Sequence, residues 1–304
     1  MSTILITGVH GTLGRPLRIE LERRGHTVYG LGLTHSEDPM CLRADIVNYR
    51  ELERALQGKP LDYVYHLAAE FGRINGEEFY ETLWATNVIG TRNILELQRQ
   101  FGFKLIFASS SEVYGDTPGI LSEDMPMMPP QKNDYAISKW VGEIQCKNFI
   151  ERYGSKILRL RFFNAYGPGE HYTPYRSVVC LFCYRALHDL PYEVYENYHR
   201  VFMYIDDFIP TLANCVDKDW DGLPPVINIG GAEYRSVKDL SDIVLSTLKK
   251  SDGLVRYLPE DKHNVVNKQP SIVLARNHLG HNPWHTLEDG IPLTLAWMRK
   301  VYGR

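Results

Sequence analysis

A short apolar run, Thr3-Ile4-Leu5-Ile6, meets glycines at positions 8, 11 and 14 and then a helical segment. No other stretch limits the fold as much. The run fits a strand buried on both faces of a parallel sheet. Gly8, Gly11 and Gly14 let the turn tighten, the backbone approach a pyrophosphate, and the helix pack close to the strand. The helix then opens with free N–H groups turned toward a phosphate. Pro16 falls in its first turn, where a missing N–H does no harm. The spacing Gly-x-x-Gly-x-x-Gly differs from the commoner Gly-x-Gly-x-x-Gly, yet the strand before it and the helix after it are the context such a loop requires.

Further strands follow at intervals. Residues 26–31 read as the second and residues 42–46 as the third, ending near Asp45, which could cap a turn or contact an adenine. Residues 62–69 read as a fourth strand running through Leu67 into Ala68 and Ala69, two small side chains that let a cofactor lie across the strand end. His66 alternates with buried positions and reads as structural. Residues 103–108 form a fifth strand ending in Ser109-Ser110-Ser111-Glu112-Val113-Tyr114-Gly115, and residues 157–163 a sixth. Strands alternating with helices imply an α/β fold with a doubly wound parallel sheet. An acid that would hold ribose hydroxyls is expected after the second strand. Gly32, Leu33, Thr34, His35 and Ser36 stand there instead, and Thr34, His35, Ser36 or Arg43 could meet a 2′-phosphate.

After residue 168 the alternation loosens, and Gly, Pro, Tyr and His become frequent, as in a substrate lid. Residues 200–207 read as a strand and a helix start, 226–231 as a strand and turn, 237–249 as a helix capped by Ser236, and 287–302 as a last helix despite Pro292. The expected domains are 1–167, with later segments returning to it, and 168–304.

A net charge of −3 with no basic block argues against nucleic acid as a partner. No apolar run approaches the ~20 residues of a membrane span. The N-terminus enters a strand directly, without a charged leader, so a cytoplasmic location is expected. Five cysteines without framework spacing read as free thiols, and Cys180-x-x-Cys183 as core rather than metal site. His278, His281 and His285 are interrupted by Pro283 and make no metal motif.

The chemistry centres on Asn133-Asp134-Tyr135-Ala136-Ile137-Ser138-Lys139. On a helix, Tyr135 and Lys139 share one face. An ammonium beside a phenol favours the phenolate, so Tyr135 is expected to take a proton from an alcohol near neutral pH. Ser110, at a strand end where ligands bind in open α/β sheets, can hydrogen-bond a hydroxyl beside it. Asn87 is expected to hydrogen-bond backbone beneath the site.

With these motifs in order, the chain resembles the extended short-chain dehydrogenase/reductase family, in its nucleotide-sugar epimerase and dehydratase branch. The resemblance rests on the glycine loop, Leu67-Ala68-Ala69, Asn87, the Ser110 turn, Tyr135-x-x-x-Lys139, and Arg161-Phe162-Phe163-Asn164-Ala165-Tyr166-Gly167-Pro168. It implies a Rossmann domain holding a nicotinamide cofactor, NAD with NADP not excluded, and a smaller C-terminal α/β domain gripping a nucleoside diphosphate sugar. It implies a catalytic Ser110, Tyr135 and Lys139. Cofactor contacts are expected from Gly8, His10, Gly11, Thr12, Leu13, Gly14, Asp45, Ile46, Leu67, Ala68, Ala69, Asn87 and Ser109. Substrate contacts are expected from Ser111, Asn164, His171, Arg176, Val178 and Arg200. The family often has a further Arg ahead of the stretch at 271–274, where this chain has Lys268 and Gln269. It also implies a homodimer joined through the helices that start near Asn87 and Tyr135.

Oxidation at sugar C4 would acidify the neighbouring protons and assist loss of a C5 carboxylate. Epimerisation is the leading outcome. Ser111-Glu112-Val113-Tyr114-Gly115 looks like the turn of dehydratases and uronate decarboxylases, so Glu112 as base makes 4,6-dehydration or decarboxylation the rival, with NADPH-dependent reduction of a 4-keto sugar as a further alternative.

Overall fold

The computed structural model describes residues 1–126, 131–259, 261 and 263–303. The chain begins β1 (Thr3–Thr7), α1 (Gly14–Arg23), β2 (Thr27–Gly32), β3 (Cys41–Arg43), α2 (Tyr49–Leu56) and β4 (Tyr63–His66). Next come α3 (Arg73–Glu78), α4 (Tyr80–Trp84), a π-helical turn (Ala85–Gly90) and α5 (Thr91–Phe101). They lead to β5 (Lys104–Ser110), a 3₁₀ turn (Ser111–Tyr114), β6 (Ile120–Leu121), α6 (Asp134–Tyr153), β7 (Ile157–Phe162) and β8 (Ala165–Tyr166). The remainder holds α7 (Val178–Leu187), β9 (Tyr192–Tyr195), β10 (His199–Val201), β11 (Met203–Tyr204), α8 (Ile205–Asn214) and β12 (Val226–Ile229). It closes with β13 (Tyr234–Ser236), α9 (Val237–Leu248), β14 (Val255–Leu258), β15 (Asn267–Pro270), α10 (Val273–Leu279) and α11 (Leu287–Tyr302).

Seven strands make one sheet, ordered β12-β7-β5-β4-β1-β2-β3, with every neighbouring pair parallel. Ile4 and Ile6 of β1 join a cluster with Leu17 of α1 and Phe208 of α8, whereas Leu5 joins one with Leu52 of α2, Ile94 of α5 and Phe149 of α6. Successive strand residues face opposite sides, so helices cover both faces of the sheet. This is the doubly wound Rossmann-type architecture. The strand order reverses between β1 and β4, and ligands bind such sheets in the crevice at that switch point.

A second sheet runs β13-β10-β15-β6. The chain passes repeatedly between the two. β6, from the first half, pairs with β15, and β12, from the last third, edges the large sheet beside β7.

Two strands end earlier than the apolar pattern suggests. β3 stops at Arg43 because Asp45 Oδ1 takes the Val47 N–H at 2.9 Å, turning the chain toward α2 and its Asn48 cap. β4 stops at His66 because the Ala68 N–H leaves the ladder for Thr7 Oγ1 at 3.1 Å. His66 itself is buried between Thr7 Oγ1 at 2.9 Å and Thr91 Oγ1 at 3.1 Å, a structural position. Cys180 and Cys183 lie in the core on α7, and Ser236 caps α9 in a reciprocal box with Asp239. Among the described residues no helix is long and apolar enough to cross a membrane.

Candidate active site

The glycine loop lies at the switch point. Gly8 has φ +71°, and a Cβ there would come within 2.9 Å of Ala68 N. A Cβ on Gly14 would come within 2.3 Å of Gly8 O, so both positions exclude side chains and leave bare backbone. No side chain caps α1 behind Leu13, and its first turn carries no acid. An open helix N-terminus under a glycine cradle fits the pyrophosphate of a dinucleotide. Thr12 Oγ1 reaches toward Gly169 O at 3.5 Å, and His10 is exposed beside Gly32. Ile46 is buried under the crevice wall, Asp45 is exposed, and Leu67, Ala68 and Ala69 line the end of β4.

Asn87 sits in the π-helical turn and clamps the segment leaving β4. Its Oδ1 accepts from Glu70 N at 2.8 Å, and its Nδ2 donates to Glu70 O at 2.9 Å and Ser138 Oγ at 3.0 Å. The loop after β4 and the start of α6 are thereby fixed to one amide.

Asn133 starts α6 by accepting the Ala136 N–H on its Oδ1 at 2.9 Å. Tyr135, Lys139 and Glu143 then fall at i, i+4 and i+8 and all are buried. The Tyr135 side chain shares a hydrogen bond with Ser110, which ends β5 and accepts the Glu112 N–H at 3.2 Å. Lys139 Nζ donates to Ala108 O at 2.9 Å and lies 6.0 Å from the centre of the Tyr135 ring.

The electrostatics differ from the expectation in one respect. Burial pushes the Tyr135 phenol up, the Ser110 hydrogen bond opposes this, and the Glu112 charge adds to it. Lys139 turns to a carbonyl rather than to the phenol oxygen, and burial pushes it down to about 8. Burial therefore outweighs the hydrogen bond, and the phenol stays above its ordinary range.

Glu112 is the residue whose surroundings could not be read from local pattern. Its carboxylate forms an ion pair with Lys268 of β15, and Arg200 of β10 is the register partner of Lys268. Burial alone would raise the Glu112 carboxyl, but Lys268 and then Arg200 hold it below the usual carboxylate range. Its Oε2 is buried without a hydrogen-bond partner among the described residues. The pair lies in the site, since the Glu112 charge acts on Tyr135.

The other expected residues divide. Ser109 Oγ turns inward to Glu143 at 2.5 Å, and Ser111 is buried in the 3₁₀ turn. Asn164 adopts φ +41°, tolerable for Asn, and its Nδ2 donates to Val201 O at 2.8 Å, tying the end of β7 to β10. Arg200 spends its guanidinium on the carbonyls of His199, Val265 and Val266. Arg176 donates to His171 O at 3.1 Å, the His171 ring packs edge-on to Trp297, and Val178 opens α7. Glu170 caps that helix through Ser177, at 2.7 Å to its hydroxyl.

Sequence reasoning missed Phe71, whose ring packs edge-on against Tyr135 at 5.6 Å. The segment it begins spans the site. Arg73 pairs with Asp261 at 2.7 Å, and Tyr175 donates to Glu78 at 2.5 Å.

A family model described as the NAD dependent epimerase/dehydratase family matches residues 4–230. A UDP-N-acetyl-alpha-D-glucosaminuronate decarboxylase of Bacillus cytotoxicus is 28% identical, over 98% of both chains. UDP-glucuronate 4-epimerase 1 of Arabidopsis thaliana is 28% identical, over 99% of this chain and 77% of its own length. The crystal structure of a UDP-glucuronic acid 4-epimerase from Bacillus cereus, in complex with UDP-glucuronic acid and NAD, superposes with a TM-score of 0.86 at 26% identity, covering 99% of this chain and all of the other.

Proposed function

Since the chain belongs to the NAD dependent epimerase/dehydratase family, we propose that it oxidises a nucleoside diphosphate sugar transiently at C4, with 4-epimerisation as the net reaction. The carrying observation is the convergence of Ser110, Tyr135 and Lys139 at the end of β5, beside a glycine cradle that suits a nicotinamide dinucleotide. The solved Bacillus cereus relative holds NAD. When bound, the nicotinamide supplies the hydride acceptor and later the donor.

The residues of the chain do the rest. Tyr135 is the base that takes the C4 hydroxyl proton and returns it when the ketone is reduced, the Ser110 hydrogen bond favouring the phenolate that burial and Glu112 oppose. Ser110 donates to the oxygen as it becomes a carbonyl. Lys139, anchored on Ala108 O, sets the positive field on that helix face. Phe71 packs its ring edge-on against the Tyr135 ring and walls that side of the site. Residues 1–167 with β12 hold the dinucleotide, and most of 168–304 holds the sugar nucleotide.

One observation favours a second reading. A 4-epimerisation needs no third ionised group, yet Glu112 stands charged beside Tyr135, balanced by Lys268. With a hexuronate substrate, the C4 ketone would make the C6 carboxylate labile, and the net reaction would be decarboxylation.

Two copies pair through the turn at Asn87, α5 and α6, where Ile89 (46% exposed) and Ile144 (45% exposed) lie uncovered in one copy.

Incubating the protein with UDP-glucuronate, UDP-N-acetylglucosaminuronate and UDP-glucose, with products followed by NMR, tests the proposal. A C4 epimer supports the first reading and a UDP-pentose with released CO2 the second. Failure to turn over any sugar nucleotide would sink both.

A further inference from the structure

The ribose end of the crevice departs from what an NAD site requires. A carboxylate at the end of the second strand normally accepts from the ribose hydroxyls, whereas a nearby Arg accommodates a 2′-phosphate. Here β2 ends in Gly32, which has no side chain to offer. The His10 ring occupies that space, for a Cβ on Gly32 would come within 3.1 Å of His10 Cδ2. The next residues, Leu33, Thr34 and His35, are exposed and bring no acid.

The acids farther along do not replace it. Asp38 is held by Arg18 at 2.7 Å and by the Met40 N–H at 2.9 Å. Asp45 Oδ1 is engaged by the Val47 N–H. Glu37 lies beyond the exposed turn.

The neighbouring strand brings a cation level with the missing acid. Arg43, the last residue of β3, is the register partner of Gly32. It is exposed and makes no hydrogen bond or ion pair with any described residue. A planar fork of this kind binds phosphate oxygens bidentately.

We propose that the ribose end of this site is built for a 2′-phosphate, with Arg43 and His10 as its ligands, so that the chain binds NADP(H) more tightly than NAD(H). The inference rests on the reading that the glycine cradle holds a nicotinamide dinucleotide.

Two measurements test it. The dinucleotide released from the purified full-length protein on denaturation is identified by mass, and NAD+ and NADP+ are compared by competition titration. The expected results are a released NADP species and an NADP+ dissociation constant about tenfold or more below that of NAD+. Arg43→Ala should weaken NADP+ about tenfold, the value of one charge-assisted hydrogen bond, and NAD+ by less than about twofold. Gly32→Asp should reverse the preference. The Arg43 change is on the surface, so its result stands even if the Gly32 variant folds poorly. Equal or tighter NAD+ binding would overturn this proposal and leave the C4 chemistry standing. Binding of neither dinucleotide would overturn both.

Discussion

Tyr135 is held by two neighbours that act on its proton in opposite senses, Ser110 lowering and Glu112 raising its affinity. Removing the phenol oxygen removes the proposed base and little else. Tyr135→Phe should lower kcat by about 10²–10⁴ with an unchanged unfolding midpoint, measured by NMR turnover and urea denaturation. Lys139 carries its charge only while protonated, and burial brings its titration down to about 8. Turnover should therefore fall as the pH rises past about 8. Lys139→Arg, which stays charged, should remove that alkaline limb if it keeps activity. A pH–rate profile identical in the two proteins would show that Lys139 does not set it. For Glu112, Glu112→Gln should abolish CO2 release from a UDP-hexuronate under the second reading yet leave C4 exchange detectable. The Tyr-x-x-x-Lys spacing was legible from the sequence because it is local. The partner of Glu112 was not, because Lys268 arrives through a different sheet and no periodicity links the two residues.

At the scale of elements, α6 is fixed by what lies below the phenol. Glu143 is fully buried and bonds Arg161 through Nε at 2.8 Å and Nη2 at 2.9 Å, Arg159 at 3.4 Å, and Ser109 at 2.5 Å. One carboxylate thus locks α6 against β5 and β7. Deleting it leaves two arginines facing each other in the interior. Glu143→Ala should cost about 3–5 kcal/mol of stability by urea denaturation, the range for breaking a buried ion pair from one side. Sequence reading placed Tyr135 and Lys139 on one helix face but passed over Glu143, since a lone acid in a helix ordinarily faces water. Its burial becomes legible only once Arg159 and Arg161 are known to sit on the neighbouring strand. The glycine loop was readable because backbone geometry dictates residue type there. The two strands that proved shorter than their apolar runs ended at side-chain contacts, Asp45 to Val47 and Thr7 to Ala68, which the runs do not encode.

For the whole molecule, acid sensitivity should centre on His66. Burial lowers it to about 3, against about 6.5 in an unfolded chain. Between those values the unfolded chain takes up a proton that the folded one refuses, so stability falls as the pH drops from about 6.5 toward 3. The loss over the full window is on the order of 4 kcal/mol. Urea midpoints at pH 7 and pH 5 should converge in His66→Gln relative to the parent. Sedimentation at micromolar concentration should show a dimer, and Ile89→Asp with Ile144→Asp should give a monomer. One consequence concerns biosynthesis. Because β12 completes the large sheet beside β7, the nascent chain leaves the ribosome with that sheet's edge open. At ~5–20 residues per second, the delay before Val226 follows Phe162 is about 3 to 13 seconds. During that interval the hydrogen-bonding edge of β7 is available to any passing polypeptide, and chaperone demand should be greatest then.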